Sequence, residues 1–410
     1  MHNNNTLTIQ YFNMKRLFYY FAAIVAGAML ALACEPEAQP ETPGAEQDDP
    51  TLPAQPGNEK VDILTSQVYK QATDGYHTFR IPVIVRSNKG TLLCFAEGRT
   101  NSSDDFGDID VVLKRSTDNG KTWEKMQVIA EDGINRCCNP TPVVLGNGKI
   151  ILVYSWNHDS TPDDHTIYTV ESDDDGVTWK NRKDITPQIA RTGESRHLPG
   201  PCHGIVKEKD PHKGRIIIPH RGKSNAKTPV HVICSDDNGA TWFHGGNVNY
   251  AYGNECTVAE LSDGALLIDM RNTDENDYFR WQAISEDGGK SWKNAYQTVL
   301  IEQQTGCQGA LHRFKWDEKT GKAILLFSNP THTSSRRHGA VKLSLDEGMT
   351  WPKMYMYTKK TGDDMYSSYS DLVTMSKDVI GIVYEAGYKL AQGILFKTFN
   401  YSDITQDYSY

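Results

Sequence analysis

The sequence has little of several features that would assign it to common functional classes. Basic residues are outnumbered, with 43 Lys and Arg against 52 Asp and Glu, and the formal net charge is −9 over 410 residues. Nothing general would attract nucleic acid or an anionic membrane to such a surface, so an anionic ligand would need a local basic cluster. Without Cys34 the eight cysteines become an odd seven, and no CxxC pair occurs, which argues against a disulfide framework and a zinc site.

Long apolar runs are also few. One covers residues 17–33, and no later stretch is apolar for long enough to span a bilayer. This run, LFYYFAAIVAGAMLALA, follows two basic residues and ends in small residues before Cys34, which is typical of an export signal. The ending ALAC resembles the bacterial lipoprotein signal, although Ala31 stands where Leu is more usual. We therefore expect residues 1–34 to be a signal peptide whose Cys34 is lipidated, and an exported protein anchored at the bacterial outer membrane, periplasm or cell surface. Ordinary secretion and a retained membrane anchor are the alternatives.

Residues 35–62 are rich in Pro and acidic side chains and contain almost no large apolar ones. Such a segment buries too little apolar surface to offset the entropy of folding, so it is predicted to be a disordered tether. Residues 63–410 remain as one globular domain, which we expect to be a monomer.

A repeated motif of Ser, Asp, Gly, a hydroxyl residue and Trp organises this domain. It occurs five times, at a mean spacing of 57 residues. The copies are STDNGKTW from Ser116, SDDDGVTW from Ser172, SDDNGATW from Ser235, SEDGGKSW from Ser285 and SLDEGMTW from Ser344. Each copy is predicted to form a hairpin turn, in which Asp accepts backbone N–H bonds, Gly allows a positive φ and Trp packs between neighbouring sheets.

Between the copies, helical periodicity is nearly absent and short strand-like runs dominate, such as IPVIVRS, GKIILVYSW and GALLIDMRN. The domain is therefore predicted to be all-β. A period near 57 residues fits a four-stranded blade with generous loops, and residues 63–403 divide into six such units. We predict a six-bladed β-propeller in which one blade lacks a clear copy of the motif. A flat sandwich or an Ig-like array is the alternative architecture.

Function has to be sought outside the repeats. Three arginines occupy comparable strand-edge positions in separate predicted blades: Arg80 in FRIP, Arg271 in MRN and Arg336 in SSRRHG. In a propeller such positions can converge on the central axis, whereas the strand edges of a sandwich would not readily meet. The planar guanidinium fork matches a carboxylate through two hydrogen bonds, so the predicted ligand is a carboxylate.

These arginines, the FRIP motif and the repeats together resemble the bacterial sialidases over residues 63–400. The resemblance implies that Arg80, Arg271 and Arg336 grip the carboxylate of sialic acid, with Arg337 as the alternative for the third position. The repeats resemble the Asp-boxes of that family, but similar boxes also occur in propellers that only bind.

An acidic segment, EGRTNSSDDFGDID, carries residues that the resemblance assigns to the active site. Asp105 stands five residues before Asp110, as the acid/base Asp of the family does, and Asp104 is the alternative. Arg99 resembles a family arginine near the substrate. A solvated acidic loop is the simpler interpretation of this segment.

The segment SSYSDLVTM, followed by GIVYEAG, resembles the family's nucleophilic tyrosine and a glutamate about sixteen residues later. This selects Tyr369 over Tyr366 and assigns Glu385 to holding Arg80. Glu255 in GNECTVAE matches the glutamate that the family pairs with its tyrosine. A phenol with a pKa near ~10 is a poor nucleophile unless a base lies within hydrogen-bond reach, and Glu255 would be that base. A neutral phenol also avoids repulsion by the substrate's carboxylate, and sialidases are already known as the exception among glycosidases that uses tyrosine.

The resemblance therefore implies a retaining exo-α-sialidase that acts on sialylated glycans through a covalent tyrosyl intermediate and needs no metal or organic cofactor. One alternative is a propeller lectin that binds sialic acid without turnover. Another is an enzyme of the same fold that transfers sialic acid or releases an anhydro product. Asn139 stands where several bacterial sialidases have Asp, which leaves the fine specificity open. His203 in GPCHGI resembles a family loop near the pocket, although a structural histidine is the simpler interpretation.

Overall fold

The structure is a computed structural model and describes residues 52–161, 164–224, 228–301, 306–358, 366–387 and 392–408. These residues belong to one compact unit. The predicted signal peptide, Cys34 and the first part of the predicted tether lie outside them. Within the described ranges, no helix is long and apolar enough to cross a membrane.

Nearly all regular structure is β-strand, as predicted. The first strands are β1 (Thr65–Lys70), β2 (Thr78–Arg86), β3 (Leu92–Arg99), β4 (Ile109–Ser116), β5 (Gln127–Ala130), β6 (Arg136–Val144), β7 (Ile150–Asn157), β8 (His165–Ser172), β9 (Lys180–Asp184), β10 (Ser195–Pro199), β11 (Ile205–Val206), β12 (Ile216–Lys223), β13 (Val230–Ser235) and β14 (Phe243–His244). They are followed by β15 (Gly253–Glu260), β16 (Leu266–Asn272), β17 (Phe279–Ser285), β18 (Tyr296–Ile301), β19 (Ala310–Trp316), β20 (Ala323–Pro330), β21 (Gly339–Ser344), β22 (Lys353–Met356), β23 (Tyr366–Thr374), β24 (Val379–Gly387), β25 (Gly393–Asn400) and β26 (Gln406–Asp407). One short helix, α1 (Thr186–Ile189), follows β9, and a 3₁₀ turn (Tyr401–Asp403) follows β25.

The described strands form five hydrogen-bonded sheets. Four of them have four or five strands, the size of one propeller blade, in the orders β1-β25-β24-β23, β10-β12-β13-β14 with β11 beside β12, β15-β16-β17-β18, and β19-β20-β21-β22-β26. The fifth has eight strands, β2-β3-β4-β6-β7-β8-β9 with β5 beside β4, because a parallel pair at Ile109 and Arg136 joins β4 to β6. The described sheets therefore do not form the six separate blades that the sequence predicts. Four of them have the size of one blade, and the fifth is twice as large.

The sheets surround a central channel in a propeller-like arrangement. The inner strands pack on one another in chain order, from β2 through β6, β12, β15 and β19 to β23, and β23 packs back against β2. Strand β1 joins the two ends of the fold, because it pairs with β25 of the last sheet. This closed ring excludes the sandwich alternative.

Two inner strands show how the ends of the channel differ. Glu255 of β15 and Tyr369 of β23 line a cavity at one end. Glu260 and Thr374, five residues further along the same strands, line a second cavity at the other end. Five residues of strand span about 16 Å, so the two cavities open on opposite faces of the fold.

Part of the predicted tether lies across the second cavity. Residues 53–56 line it. The Ala54 backbone N–H donates to Asn88 Oδ1 at 3.1 Å, and Gln55 Nε2 donates to Glu208 Oε1 at 3.0 Å. The chain therefore enters the described fold at the end of the channel remote from Tyr369.

The repeated motif forms the predicted turn in all five copies, each between the third and fourth strands of a blade-sized unit. In the second copy, Asp174 Oδ1 accepts from the Thr178 backbone N–H and from Ser172 Oγ, both at 2.8 Å. The Gly176 N–H donates to Ser172 Oγ at 2.9 Å. The same bonds recur in the other copies around Asp118, Asp237, Asp287 and Asp346.

The glycine of this turn fits tightly against the preceding unit of strands. Gly176 has a φ of 78°, and a Cβ at this position would lie 2.3 Å from Leu93 Cδ2 of β3. Both the backbone angle and the close approach therefore require glycine. Nearby, the Trp179 ring packs edge-on against Phe95, with ring centroids 5.6 Å apart. The motif thus ties one unit to the one before it, as predicted.

Candidate active site

The three predicted arginines meet around one phenol. The guanidinium carbons of Arg80 and Arg336 lie 5.5 Å and 5.4 Å from the centroid of the Tyr369 ring. Arg271 Nη1 lies 3.1 Å from the Tyr369 hydroxyl. These side chains come from β2, the loop before β21, and β16, so residues far apart in the chain form one cationic cluster.

Arg80 is held by the predicted carboxylate. Its Nε donates to Glu385 Oε1 at 2.7 Å, and the backbone N–H of Ile81 donates to the same oxygen at 3.0 Å. Ile81 has a φ of 57°, which is unusual for a β-branched residue, and the register of β2 against β3 shifts just after Arg80. The buried carboxylate of Glu385 therefore fixes both the guanidinium and the bulge that presents it.

Of the two candidates for the third arginine, Arg336 faces the phenol. Its Nη1 donates to Ser368 Oγ at 3.2 Å and its Nη2 donates to the Gly306 carbonyl at 3.1 Å. Arg337 instead forms an isolated backbone bridge with Tyr366. The sequence could not separate the two arginines, because they stand at adjacent positions in the loop before β21.

Tyr369 and Glu255 form a short hydrogen bond in which the phenol donates to Glu255 Oε1 at 2.5 Å. The other oxygen of Glu255 accepts from Arg271 Nη1 at 2.8 Å. Burial raises the pKa of the Glu255 carboxyl, but Arg271 and Arg221 outweigh it and leave this pKa below its usual value. Burial and the charge of Glu255 hold the pKa of Tyr369 well above its usual value. The pair therefore consists of a neutral phenol and an ionised carboxylate ready to accept its proton.

Asp105 lies on the loop between β3 and β4 and lines the same cavity as Tyr369. Its side chain is 76% exposed and Oδ1 lies 2.8 Å from Arg99 Nη1. Partial desolvation by the cavity wall raises the pKa of the carboxyl, but Arg99, Arg80 and Arg336 more than offset this and lower the pKa below its usual value. Asp105 is therefore ionised when the cavity contains no substrate.

The alternative Asp104 is exposed, and its backbone N–H is bonded to Ser102 Oγ at 3.0 Å. Its neighbour Asp105 is the one that contributes to the wall of the Tyr369 cavity. The geometry favours Asp105 as the carboxylate that could reach a bound ligand.

Arg99 is buried and is fixed by Glu97, a residue that was not identified from the sequence. Its Nε and Nη2 donate to Glu97 Oε2 at 3.1 Å and 2.7 Å, and its Nη1 donates to the Ser103 carbonyl at 2.6 Å. The other Glu97 oxygen accepts the Asn139 backbone N–H at 2.9 Å. Glu97 stands two positions before Arg99 on strand β3, so strand alternation alone could have identified the pair.

Asn139, the position that departs from the family pattern, lines the cavity beside Asp105. Its φ is 54°, and its Nδ2 donates to the Pro199 carbonyl at 3.0 Å. The neighbouring Cys138 also lines this cavity, whereas Cys137 packs in a separate apolar cluster. The seven cysteines from Cys94 onward are buried, and none of them forms a disulfide in the described structure.

His203 lies away from the phenol. Its Nδ1 is 2.8 Å from Asp371 Oδ1, and the other oxygen of Asp371 accepts the Ile84 N–H at 3.1 Å. His203 lines the second cavity, at the opposite end of the channel. It is buried and paired, as expected of a structural histidine.

No group of three or more His, Cys, Asp or Glu side chains suited to a metal ion occurs in the part of the chain that the structure describes. The chemistry of the cavity instead comes from guanidinium groups, carboxylates and one phenol. Such a site can neutralise an anion and move protons between a phenol and carboxylates.

Comparison with known proteins defines the class first. Residues 90–384 match the family described as BNR repeat-like domain. Together with the closed ring of sheets and the five Asp-box turns, this match makes the chain an all-β, propeller-like protein built on BNR repeats.

Individual relatives narrow the class. The sialidase of Clostridium perfringens is 31% identical over 366 residues, which cover 81% of this chain and 90% of that relative. The sialidase of Bacteroides fragilis (strain YCH46) is 34% identical over 342 residues, or 76% of this chain, and the match spans 61% of that relative's length. The solved structure of the Hadza microbial sialidase Hz136 superposes with a TM-score of 0.74 at 27% identity, covering 83% of this chain and 69% of that one. The chain belongs to the sialidase family.

Proposed function

We propose that the chain is a retaining exo-α-sialidase that hydrolyses terminal sialic acid from glycoconjugates. The observation that carries this proposal is the hydrogen bond of 2.5 Å from the Tyr369 phenol to Glu255, placed among three guanidinium groups. A binding protein needs the guanidinium groups to hold a carboxylate, but it has no need of a buried phenol paired with a base. Catalysis would use this pair, with the phenol as nucleophile and Glu255 as its base.

In the first step, Arg80, Arg271 and Arg336 hold the substrate's carboxylate. Tyr369 Oη attacks the anomeric carbon while Glu255 takes the phenolic proton, and the glycosidic C–O bond breaks as Asp105 gives its proton to the leaving oxygen. In the second step, Asp105 takes a proton from water, which attacks the anomeric carbon. The bond to Tyr369 breaks and the phenol recovers its proton from Glu255. Two displacements at the same carbon retain its configuration.

The proposal requires Asp105 to gain a proton before the first step. In the empty cavity Arg99, Arg80 and Arg336 lower the pKa of this carboxyl. A bound carboxylate would neutralise Arg80 and Arg336 and bring a negative charge close to Asp105, so two of the three lowering influences are cancelled when substrate binds. Substrate binding should therefore raise the pKa of Asp105 toward the range that suits a general acid.

An aryl sialoside assay with purified protein tests the activity, and Tyr369→Phe tests the nucleophile. We expect the variant to lose about 10²–10⁴-fold in kcat, while Tyr366→Phe, the matched control at the other candidate tyrosine, keeps most of the activity. A 3-fluorinated sialosyl fluoride should leave its sugar on a peptide containing Tyr369, as detected by mass spectrometry. A fully active Tyr369→Phe variant would reject the assignment.

The two alternative activities of this fold give different products in the same assay. A lectin binds the sialoside and releases no phenol. NMR of the first-formed product, with an acceptor alcohol present, distinguishes α-sialic acid from a transferred sialoside and from an anhydro sugar. We expect free α-sialic acid as the first product.

We also propose that the eight-stranded sheet consists of two blades, which gives six blades in total. Strands β2 to β5 and β6 to β9 are each a four-stranded unit with its own Asp-box, and the two units share one bridged pair, Ile109 and Arg136. A crystal structure in which these units are inclined to each other like the other neighbouring blades would support this division. One continuous sheet without a change of inclination would contradict it.

For the cellular location, we propose an exported lipoprotein anchored through Cys34, which lies outside the described residues. The supporting pattern is the basic, apolar and small-residue order that ends in ALAC. Expression in a bacterium followed by detergent phase separation tests it. The wild-type protein should partition into detergent, and Cys34→Ser should not; an identical distribution would contradict the proposal.

A further inference from the structure

One more arginine lies in the wall of the catalytic cavity without an assigned role. Arg221 stands near the end of β12 and lines the cavity together with Asp105, Glu255 and Tyr369. It reaches the cavity from the sheet that contains β10 and β12, which contributes none of the three arginines described above. Arg221 therefore faces the ligand from a separate side.

Arg221 makes no ion pair or side-chain hydrogen bond with any residue that the structure describes, and its Nε is buried. Three of the four arginines with assigned roles differ, because Arg80, Arg99 and Arg271 each contact a carboxylate at 2.8 Å or less. The fourth, Arg336, donates to Ser368 Oγ and to the Gly306 carbonyl. Glu255 lines the same cavity, but its two oxygens already accept from Arg271 and Tyr369. A partly buried guanidinium with an unpartnered Nε and no counter-ion is costly, so the site is suited to an anion brought by the ligand.

The charges of the surrounding wall have the same sign. Arg136, Arg196 and Lys223 line the same pair of cavities as Arg221. The acidic side chains of this wall are Glu97, Asp105 and Glu255, and each of them already contacts an arginine. One substrate carboxylate, held beside Tyr369, leaves Arg221 without a matching charge.

We propose that Arg221, with Arg196 and Lys223 beside it, forms a second anion subsite that favours sialosides carrying a second negatively charged oxygen group. This group has two possible sources, the carboxylate of a sialic acid attached through the scissile bond, as in α2,8-linked disialyl chains, or a sulfate ester on the terminal sugar. The inference rests on the proposed sialidase activity, because it concerns the selection of substrates by the same cavity.

The test compares kcat/KM for three substrates: 3′-sialyllactose, an α2,8-linked disialyllactose and a sialyllactose with a sulfate on its terminal sugar. The readout is the kcat/KM of a doubly charged substrate divided by the kcat/KM of the singly charged one. A general effect of the mutation on the base Glu255 changes both values equally and cancels in this ratio. Arg221→Gln removes the charge and Arg221→Lys keeps it. Lys180→Gln is the matched control, because Lys180 stands on the outer strand β9, is 55% exposed and pairs with Asp173.

We expect wild type to favour at least one doubly charged substrate, and the substrate that is favoured identifies the source of the charge. Arg221→Gln should lower this ratio about 10-fold, Arg221→Lys should keep most of it, and Lys180→Gln should not change it. Added NaCl should reduce the preference of the wild-type protein.

Equal ratios in wild type and Arg221→Gln would overturn the proposal, as would a variant that loses the same factor on all three substrates. The latter result would limit Arg221 to acting on Glu255. A wild-type protein that cleaves none of the substrates would instead refute the sialidase activity itself. Unfolding curves for each variant separate these outcomes from a loss of folding.

Discussion

The packing of the Asp-box glycine leads to a quantitative prediction about stability. In Gly176→Ala, the positive φ of 78° costs about 1–2 kcal/mol for a residue with a Cβ. The new methyl group would also lie 2.3 Å from Leu93 Cδ2, so Leu93 or the turn must move, and such overpacking costs about 1–3 kcal/mol. The sum is about 2–5 kcal/mol, a large part of the stability of a typical domain.

Gly148→Ala is the matched control, because Gly148 has a similar φ of 86° and no atom within 4 Å of its hypothetical Cβ. It should lose only the conformational part, about 1–2 kcal/mol. Urea denaturation followed by tryptophan fluorescence measures both variants, and the Gly176→Ala midpoint should lie clearly below that of Gly148→Ala. If the two variants unfold at the same urea concentration, the close approach to Leu93 does not constrain the fold and the reasoning fails.

Three further predictions concern the catalytic groups and the response to pH. Glu255→Gln should lower kcat about 10²–10⁴-fold on an aryl sialoside, because the phenol loses its base, and an unchanged kcat would exclude that role. Asp105→Asn should lose far more activity on a natural glycan than on a sialoside with an acidic phenol as leaving group, since that leaving group departs without being protonated. Equal losses on the two substrates would contradict the role of Asp105 as the acid. Burial holds the pKa of His220 and of His231 well below its usual value. The unfolded chain therefore binds more protons below about pH 6.5, so stability is complete above that pH and falls as the pH drops. Urea midpoints from pH 7 to 5 should decrease, and less steeply in His231→Gln; parallel slopes would show that these histidines do not cause the loss.

Much of the site could be predicted because its residues lie at recognisable places on strands. Arg80 and Arg271 stand at the ends of apolar runs, and a closed ring of sheets brings such ends to one axis. Tyr369 was distinguishable from the other tyrosines by its sequence neighbours. The catalytic roles of these residues stay predictions, although the structure brings them together as expected.

Other features depend on contacts that no local pattern encodes. Arg221 follows the run IIIPH, and the same rule that selected Arg271 would have selected it, but one arginine at a strand end carries little information by itself. The ion pair between Asp105 and Arg99 depends on the path of a loop. The joining of two blade-sized units depends on a single bridge between Ile109 and Arg136, which a repeat period cannot reveal.

The position of residues 53–56 at the remote end of the channel has a practical consequence. A fusion protein, a fluorescent label or a solid support joined directly at residue 52 would be attached at the face remote from Tyr369. Large glycoproteins should therefore reach Tyr369 as readily in the immobilised protein as in solution. The same attachment made in the loop before β21, beside Arg336, would stand in the path of every glycan.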